Sequence, residues 1–436
     1  MRRAANLTHV SAPAPKPRFS FRHAAGLIAF LIVVGFAFGW GNREPQAHYD
    51  YTFRIARALL KGELGLREPV SWLNELVPYN GWYYSVFPFG SVVTQIPAAL
   101  WQNARHLTDY PAREVGAFLG VGTAIFAVAL SKRYNDALLR RGFFITWFLF
   151  GSWLFPNVVM GSAWQVALGF AVLGEMGALT FTLHEKKPLL AGFFFAVAFG
   201  NRTEIILLAP VFIYLLVRHD PHRDKPDSPD ANAPILARLR REWTAAALFC
   251  VFPFLLGVAT LWYNVARFGN PLDFGYTRIP GVLDEYWYKP GLYSWEAILM
   301  NVREMLCTSA WFARTSYPYL LPEQLGGSLL SVCPFLLFLV RPGQRDVILR
   351  RVCWLAITLL LAAILPHGNA GGLRFSYRYA LPLLPWIWFL LLDRRGGKKD
   401  TSESEITSWE WILFGIGVFA NLWAVYVWFW TGSMNG

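Results

Sequence analysis

Charge and cysteine are scarce in this chain. Only 16% of its 436 residues are charged, and it has four Cys (Cys250, Cys307, Cys333 and Cys353). Those cysteines show no paired spacing and three sit in apolar runs, so they read as small buried hydrophobes and not as a disulfide framework. The eight His form no ligand-spaced cluster. No glycine-rich phosphate loop, no G-x-S-x-G elbow and no H-E-x-x-H pair occurs. Nucleotide-driven pumping and serine hydrolysis therefore have no local support. Nor is there a soluble domain: 218–242 and 394–408 are charged linkers rich in Pro, Gly and Ser.

What the chain does have is apolar and aromatic. Hydrophobic residues make up 55% and 20 are Trp, a composition suited to a polytopic helical membrane protein with wide interfacial surfaces. A bilayer core takes about 20 apolar residues per helix. Hydropathy on that basis predicts an all-α bundle of about eleven spans, near 24–40, 114–131, 142–160, 165–183, 188–200, 204–217, 243–263, 325–340, 352–366, 379–392 and 410–430. The segment 87–102 is apolar but contains Pro88, Gly90 and Pro97, and fits either a further span or a helix leading into the second one. The basic segment 1–23 is too long and polar for a cleaved signal and reads as the cytoplasmic start of an uncleaved anchor. The rest, 24–436, reads as one integral membrane domain.

Charge asymmetry orients the bundle. Of the 40 Lys and Arg, 25 fall in 1–23, 132–141, 184–187, 218–242, 341–351 and 393–409, which alternate with longer loops. The positive-inside rule then puts the N-terminus inside and the loops 41–113, 264–324 and 367–378 outside. The net charge of +12 is a topology signal, and no nucleic-acid partner is implied. In the outer loops, 51–62 has Phe53, Ala56 and Leu60 on one helical face and Arg54, Arg57 and Lys61 on another. Segment 293–306 likewise sets Trp295, Ile298, Leu299, Val302 and Met305 against Glu296, Arg303 and Glu304. Such helices lie in the interface plane, where two of them can roof a cavity within reach of a lipid-linked substrate.

These residues also carry a family pattern. A basic N-terminus and one span lead to an early acid, Asp50, and to Ala56-Arg57-Ala58-Leu59-Leu60-Lys61-Gly62. Asn80-Gly81-Trp82-Tyr83-Tyr84-Ser85 and Pro88-Phe89-Gly90 follow. Later come Asn201-Arg202-Thr203-Glu204, then Tyr263-Asn264-x-x-Arg267-Phe268-Gly269-Asn270-Pro271 running to Gly275-Tyr276, and Arg378-Tyr379-x-x-Pro382-x-x-Pro385. In order and spacing the chain resembles the polyprenyl-phosphate-dependent membrane glycosyltransferases of the C-type fold. The resemblance is to the bacterial branch related to protein O-mannosyltransferases and the lipid A aminoarabinose transferase. It implies an enzyme of a bacterial cytoplasmic (inner) membrane, with its active site on the external face. A sugar would pass with inversion from a polyprenyl phosphate to an acceptor hydroxyl on a glycan, lipid or protein. No cofactor is implied, and any metal requirement stays open.

The same resemblance places the general base at Asp50, next to the membrane interface where burial raises a carboxylate's pKa. Asp50 also precedes a helix and would suit an N-cap. Glu75 is the second catalytic candidate, against a reading as a loop acid. Relatives carry a double proline, some with a preceding Lys near the donor phosphate, but Val86-Phe87-Pro88-Phe89-Gly90 has one proline and no Lys. The phosphate contact is therefore expected from Arg378 and Arg374 around Tyr377, in a glycine-rich insert, or from Arg202, whose alternative is an ion pair with Glu204. Tyr83, Tyr84, His48, Asn264 and Arg267 complete the expected substrate-binding set. Glu175 lies mid-span, where an acid marks function by default or bonds a neighbouring helix. Two competing readings are a transporter or flippase of a lipid-linked sugar and a non-catalytic scaffold. The first would want several intramembrane polar residues or an internal repeat, and neither is found.

Overall fold

A computed structural model describes residues 21–45, 49–134, 136–218, 220, 234–340, 345–372, 374–394 and 406–432. The basic N-terminal segment through residue 20, most of the 218–242 and 394–408 linkers, and His48 lie outside these residues. The described chain is predominantly helical, with two short antiparallel hairpins, Leu76–Tyr79 with Trp82–Ser85 and Trp311–Ala313 with Leu320–Pro322. The first hairpin turns through Asn80 and Gly81, both at positive φ (48° and 77°). Adjacent left-handed residues make the tight turn whose twist suits paired strands.

Five helices are long and apolar enough to cross a membrane: Ala112–Tyr134, Ala163–His184, Trp243–Phe268, Val347–Ile364 and Ser408–Trp430. A sixth is the pair Leu138–Phe150 and Leu154–Met160, bent by 44°. Four shorter apolar helices, Ala24–Trp40, Pro188–Asn201, Thr203–Val217 and Arg378–Leu392, fall where spans were expected. The count of eleven thus reduces to five or six full-length helices by this measure. The expected span at 325–340 does not form: it is a four-residue helix, Leu329–Val332, and a 3-10 turn, Pro334–Val340. Pro334 lacks the N–H and crowds the preceding turn, which ends the first helix. Segment 87–102 is likewise two short helices, Phe89–Val93 and Ile96–Arg105.

Burial separates the helices by role. Trp243–Phe268 leaves Phe254, Leu255, Val258 and Trp262 exposed, Phe254 by 69%. So large an apolar surface facing water would drive association, whereas facing lipid it carries no such cost. The opposite case is Ala163–Leu179, nearly all buried. Close approach explains its glycines: a Cβ on Gly174 would sit 2.6 Å from the Ala198 backbone nitrogen and 2.7 Å from the Phe194 carbonyl oxygen. Small residues let apolar helices gain dispersion contact where no hydrophobic driving force exists between them. Mid-span Glu175 is fully buried and accepts a hydrogen bond from the Trp386 indole at 2.9 Å, so its visible role is to join two helices.

The two ends of the bundle differ in chemistry. At one end, Arg133 bridges Asp220 and Asp346 at 2.9 Å each, Arg218 pairs with Asp346 at 3.1 Å, and Arg345 with Asp136 at 2.7 Å. Arg394 and Glu410 meet there at 3.3 Å. All but Glu410, the first residue of the expected span 410–430, come from the segments expected on the basic, inner side. The other end carries the hairpins, the long loops and the cavities described next.

Candidate functional site

Two cavities share a wall. The inner one, about 520 Å³, runs along Phe87, Pro88, Ile206, Leu207, Ala362 and Ile364, with Arg202, Glu204 and His367 among its polar groups. The outer one, about 960 Å³, is bounded by Tyr49, Asn74, Trp287, Trp311, Arg374 and the acids Glu285, Glu304 and Glu323. Glu75, Trp164, Tyr276, Asn369, Gly372 and Arg378 line both. Both volumes suit a bound small molecule, whose sites span roughly 300–1,000 Å³.

Local structure fixes this junction. Glu75 comes just before the hairpin strand Leu76–Tyr79, and Trp164 opens the central buried helix. The Trp164 indole Nε1 donates to Glu75 Oε2 at 3.0 Å. Tyr51 Oη donates to Asn74 Oδ1 at 3.0 Å, steadying the residue before Glu75. Burial pushes the Glu75 carboxyl up to about 6, against the opposing effects of the Trp164 bond and the Arg378 charge. A carboxylate near that value can exchange a proton at neutral pH. Arg378 opens the Arg378–Leu383 turn, its guanidinium 5.6 Å from the Trp164 ring centre and 5.4 Å from that of Tyr379. His367 aligns Nδ1 with the Asn369 carbonyl at 2.8 Å and sits edge-on to Tyr276, Tyr288, Tyr293 and Tyr379. Burial lowers its pKa, favouring the neutral ring.

The expected site residues divide. Glu75, Arg378, Arg202 and Arg374 reach the cavities. Arg202 does so while paired with Glu204 at 2.8 Å, so its expected alternative is realised. Arg374 is tied to the carbonyls of Gly371 and Gly372 and lies 3.7 Å from Glu304. Asp50 lines neither cavity. Its Oδ1 accepts from Arg54 Nε at 2.6 Å, its side chain makes no capping bond, and burial raises its pKa against the pull of Arg54. Tyr377 is buried behind the site.

Other expected contacts are structural. Tyr84 packs edge-on against Phe268, and Tyr83 bonds Leu66 through its backbone. Arg267 donates to the Ser85 carbonyl at 2.8 Å and to Asn264 Oδ1 at 2.7 Å. This clasp ties the end of Trp243–Phe268 to the first hairpin and adds nothing to either cavity wall. The expected interfacial helices also differ from one another. Tyr51–Leu59 is buried under neighbouring protein, with Phe53, Ile55 and Ala56 in the core, because the short helices Phe89–Val93 and Ile96–Arg105 pack against it. Trp295–Leu306 instead leaves Trp295 and Leu299 exposed, 86% and 76%. Its other face docks through Asn301 Nδ2, which donates to the Leu365 and His367 carbonyls.

Sequence reasoning missed Trp164, Tyr276, His367 and Asn369. A tryptophan at the end of an expected span reads as an interfacial belt residue, and only packing turns its indole onto Glu75. Among the described residues, no three His, Cys, Asp or Glu gather as a metal site. Compared with family models, curated proteins and solved structures, the chain matches none.

Proposed function

We propose that the chain is an integral membrane glycosyltransferase whose five or six full-length apolar helices, together with the four shorter ones, form the membrane bundle. It moves a sugar from a polyprenyl-phosphate donor to an acceptor hydroxyl at the external face of a bacterial inner membrane. The observation carrying this reading is the shared wall: a carboxyl raised by burial to about 6 and an arginine stand between two adjoining cavities, one flanked by Phe87, Ile206, Leu207 and Ala362, the other by three indoles and three further acids. A lipid-phosphate sugar fits the inner slot, with its tail along Ile206, Leu207 and Ala362 and its phosphate toward Arg378 and Arg202. The acceptor enters from the outer chamber.

Glu75 takes the acceptor's hydroxyl proton as its oxygen attacks the anomeric carbon from the outer side. The bond to the phosphate oxygen breaks on the opposite side, so configuration inverts and the lipid phosphate departs. Charge growing on that phosphate is met by fixed guanidinium groups, which act strongly in a site shielded from water. This assigns the base to Glu75 on geometry, whereas the resemblance assigns it to Asp50. The transferase reading is tested by incubating the protein in vesicles with polyprenyl-phosphate sugars. Release of free polyprenyl phosphate is expected from the wild-type chain and not from Glu75→Gln. Transport of intact donor across the vesicle without release would establish the flippase reading in its place.

A further inference from the structure

The outer chamber has a feature the transfer reaction does not require. Three indoles line it, those of Trp164, Trp287 and Trp311, and each has its N–H held by the protein. Trp164 donates to Glu75 at 3.0 Å, Trp287 to Glu285 Oε2 at 3.2 Å and Trp311 to the Ser331 carbonyl at 3.2 Å. With the N–H occupied, a ligand meets ring surface; Trp164 already faces the Arg378 guanidinium and Trp311 packs edge-on against Phe375, so Trp287 is the open platform. Trp287 keeps 48% of its surface exposed, so a face is accessible. Beside the rings stand Glu285, Glu304 and Glu323, with Glu75 on the shared wall, against two cations, Arg378 and Arg374, the second already 3.7 Å from Glu304.

We infer that the outer chamber binds a carbohydrate acceptor of several rings, uncharged or amino-substituted, through indole stacking and carboxylate acceptors. A pyranose has a C–H face that stacks on an aromatic ring and a rim of hydroxyl donors that ionised carboxylates accept. At about 960 Å³ the chamber lies at the large end of the range for small-ligand sites. Its excess of carboxylates repels phosphorylated or carboxylated acceptors. A peptide acceptor would present backbone amides, whose usual partners are main-chain edges, whereas this chamber offers rings and acids. The inference rests on the transfer reading for the word acceptor, but the binding itself can be measured without donor.

The test is calorimetry on the full chain in lipid nanodiscs, with no donor added. The probes are neutral trisaccharides of glucose, mannose, galactose and N-acetylglucosamine, a glucosamine trimer, and a Ser/Thr-rich decapeptide. At least one saccharide is expected to bind and the peptide not to. Trp287→Ala is expected to weaken that binding by roughly tenfold, and Glu285→Gln also to weaken it. Both positions are exposed, so the variants should fold, which thermal unfolding verifies. Binding of the peptide alone, binding of no saccharide, or saccharide binding untouched by Trp287→Ala overturns the inference. Saccharide binding with no polyprenyl phosphate release refutes the transferase and leaves the glycan site standing. Release onto peptide without saccharide binding does the reverse.

Discussion

The indole nitrogen of Trp164 and the carboxylate of Glu75 meet at 3.0 Å across 89 positions of sequence, joining a loop acid to the first turn of the most buried of the five full-length apolar helices. This bond sets the acid's direction within the shared wall of two cavities. It also works to lower the pKa that burial raises.

Exchanging the carboxylates separates the two candidates for the base. Glu75→Gln should lower transfer by about 10²-fold or more, the range for losing general-base catalysis. Asp50→Asn leaves both cavities unchanged and should cost less, mainly through its lost pairing with Arg54. Polyprenyl phosphate release per folded molecule measures both. Loss confined to Asp50→Asn would return the base to the residue named by the resemblance.

Activity should follow the Glu75 carboxyl, rising with pH to a plateau above about 6. Trp164→Phe deletes a bond to the ionised form and should move this limb upward. For stability the sign is opposite. The folded-state pKa lies above the 4.5 of a free glutamate side chain, so this group favours folding most at low pH and works against it as pH rises through about 6. Matching pH profiles for Trp164→Phe and wild type would remove the indole from the electrostatics.

Arg378→Lys keeps a charge but loses the planar fork that matches phosphate oxygens. Donor use should weaken while the protein stays folded, and Arg378→Ala should be nearly inactive. Donor consumption at several concentrations reports this. Normal consumption by Arg378→Ala together with failure of Arg202→Ala would move the phosphate to the Arg202–Glu204 turn.

At the opposite end, burial works to raise the Asp346 carboxyl, but Arg218 and Arg133 outweigh it and bring it to about 2. Its contribution to stability is present above the 3.8 of a free aspartate side chain and is lost as pH falls through about 2. Asp346→Asn should destabilise by about 3–5 kcal/mol, since two buried guanidinium groups lose a partner. Thermal unfolding in detergent measures the loss, and transfer per folded molecule should hold.

Orientation is open to thiol labelling of intact cells with a membrane-impermeant reagent. Cysteine probes at Asn80 and Asp284 should react, and a probe at Asn232, outside the described residues, should be shielded. Reaction at Asn232 would invert the bundle and put the cavities inside.

The helical class of the fold is legible in the sequence. Apolar runs locate helices because a lipid-facing helix must be apolar along its length, as Trp243–Phe268 is. Alternating basic loops group the segments that meet in the Arg133–Asp220–Asp346 cluster. Hydropathy could not show that Pro334 breaks 325–340 into short pieces, since the window averages over the one residue that stops a helix. The site was legible only in part. Asp50 and Glu75 both read as loop acids near an interface. The bond from Arg54 holds Asp50 outside both cavities, and the long-range bond from Trp164 turns Glu75 to their shared wall. Arg267 and Tyr84 share a motif with substrate-like chemistry, yet tertiary packing uses them to clamp a hairpin to a helix. Local sequence determines which groups exist and how they space along an element. Which of them share a cavity depends on contacts between residues far apart in the chain, and no local pattern encodes those.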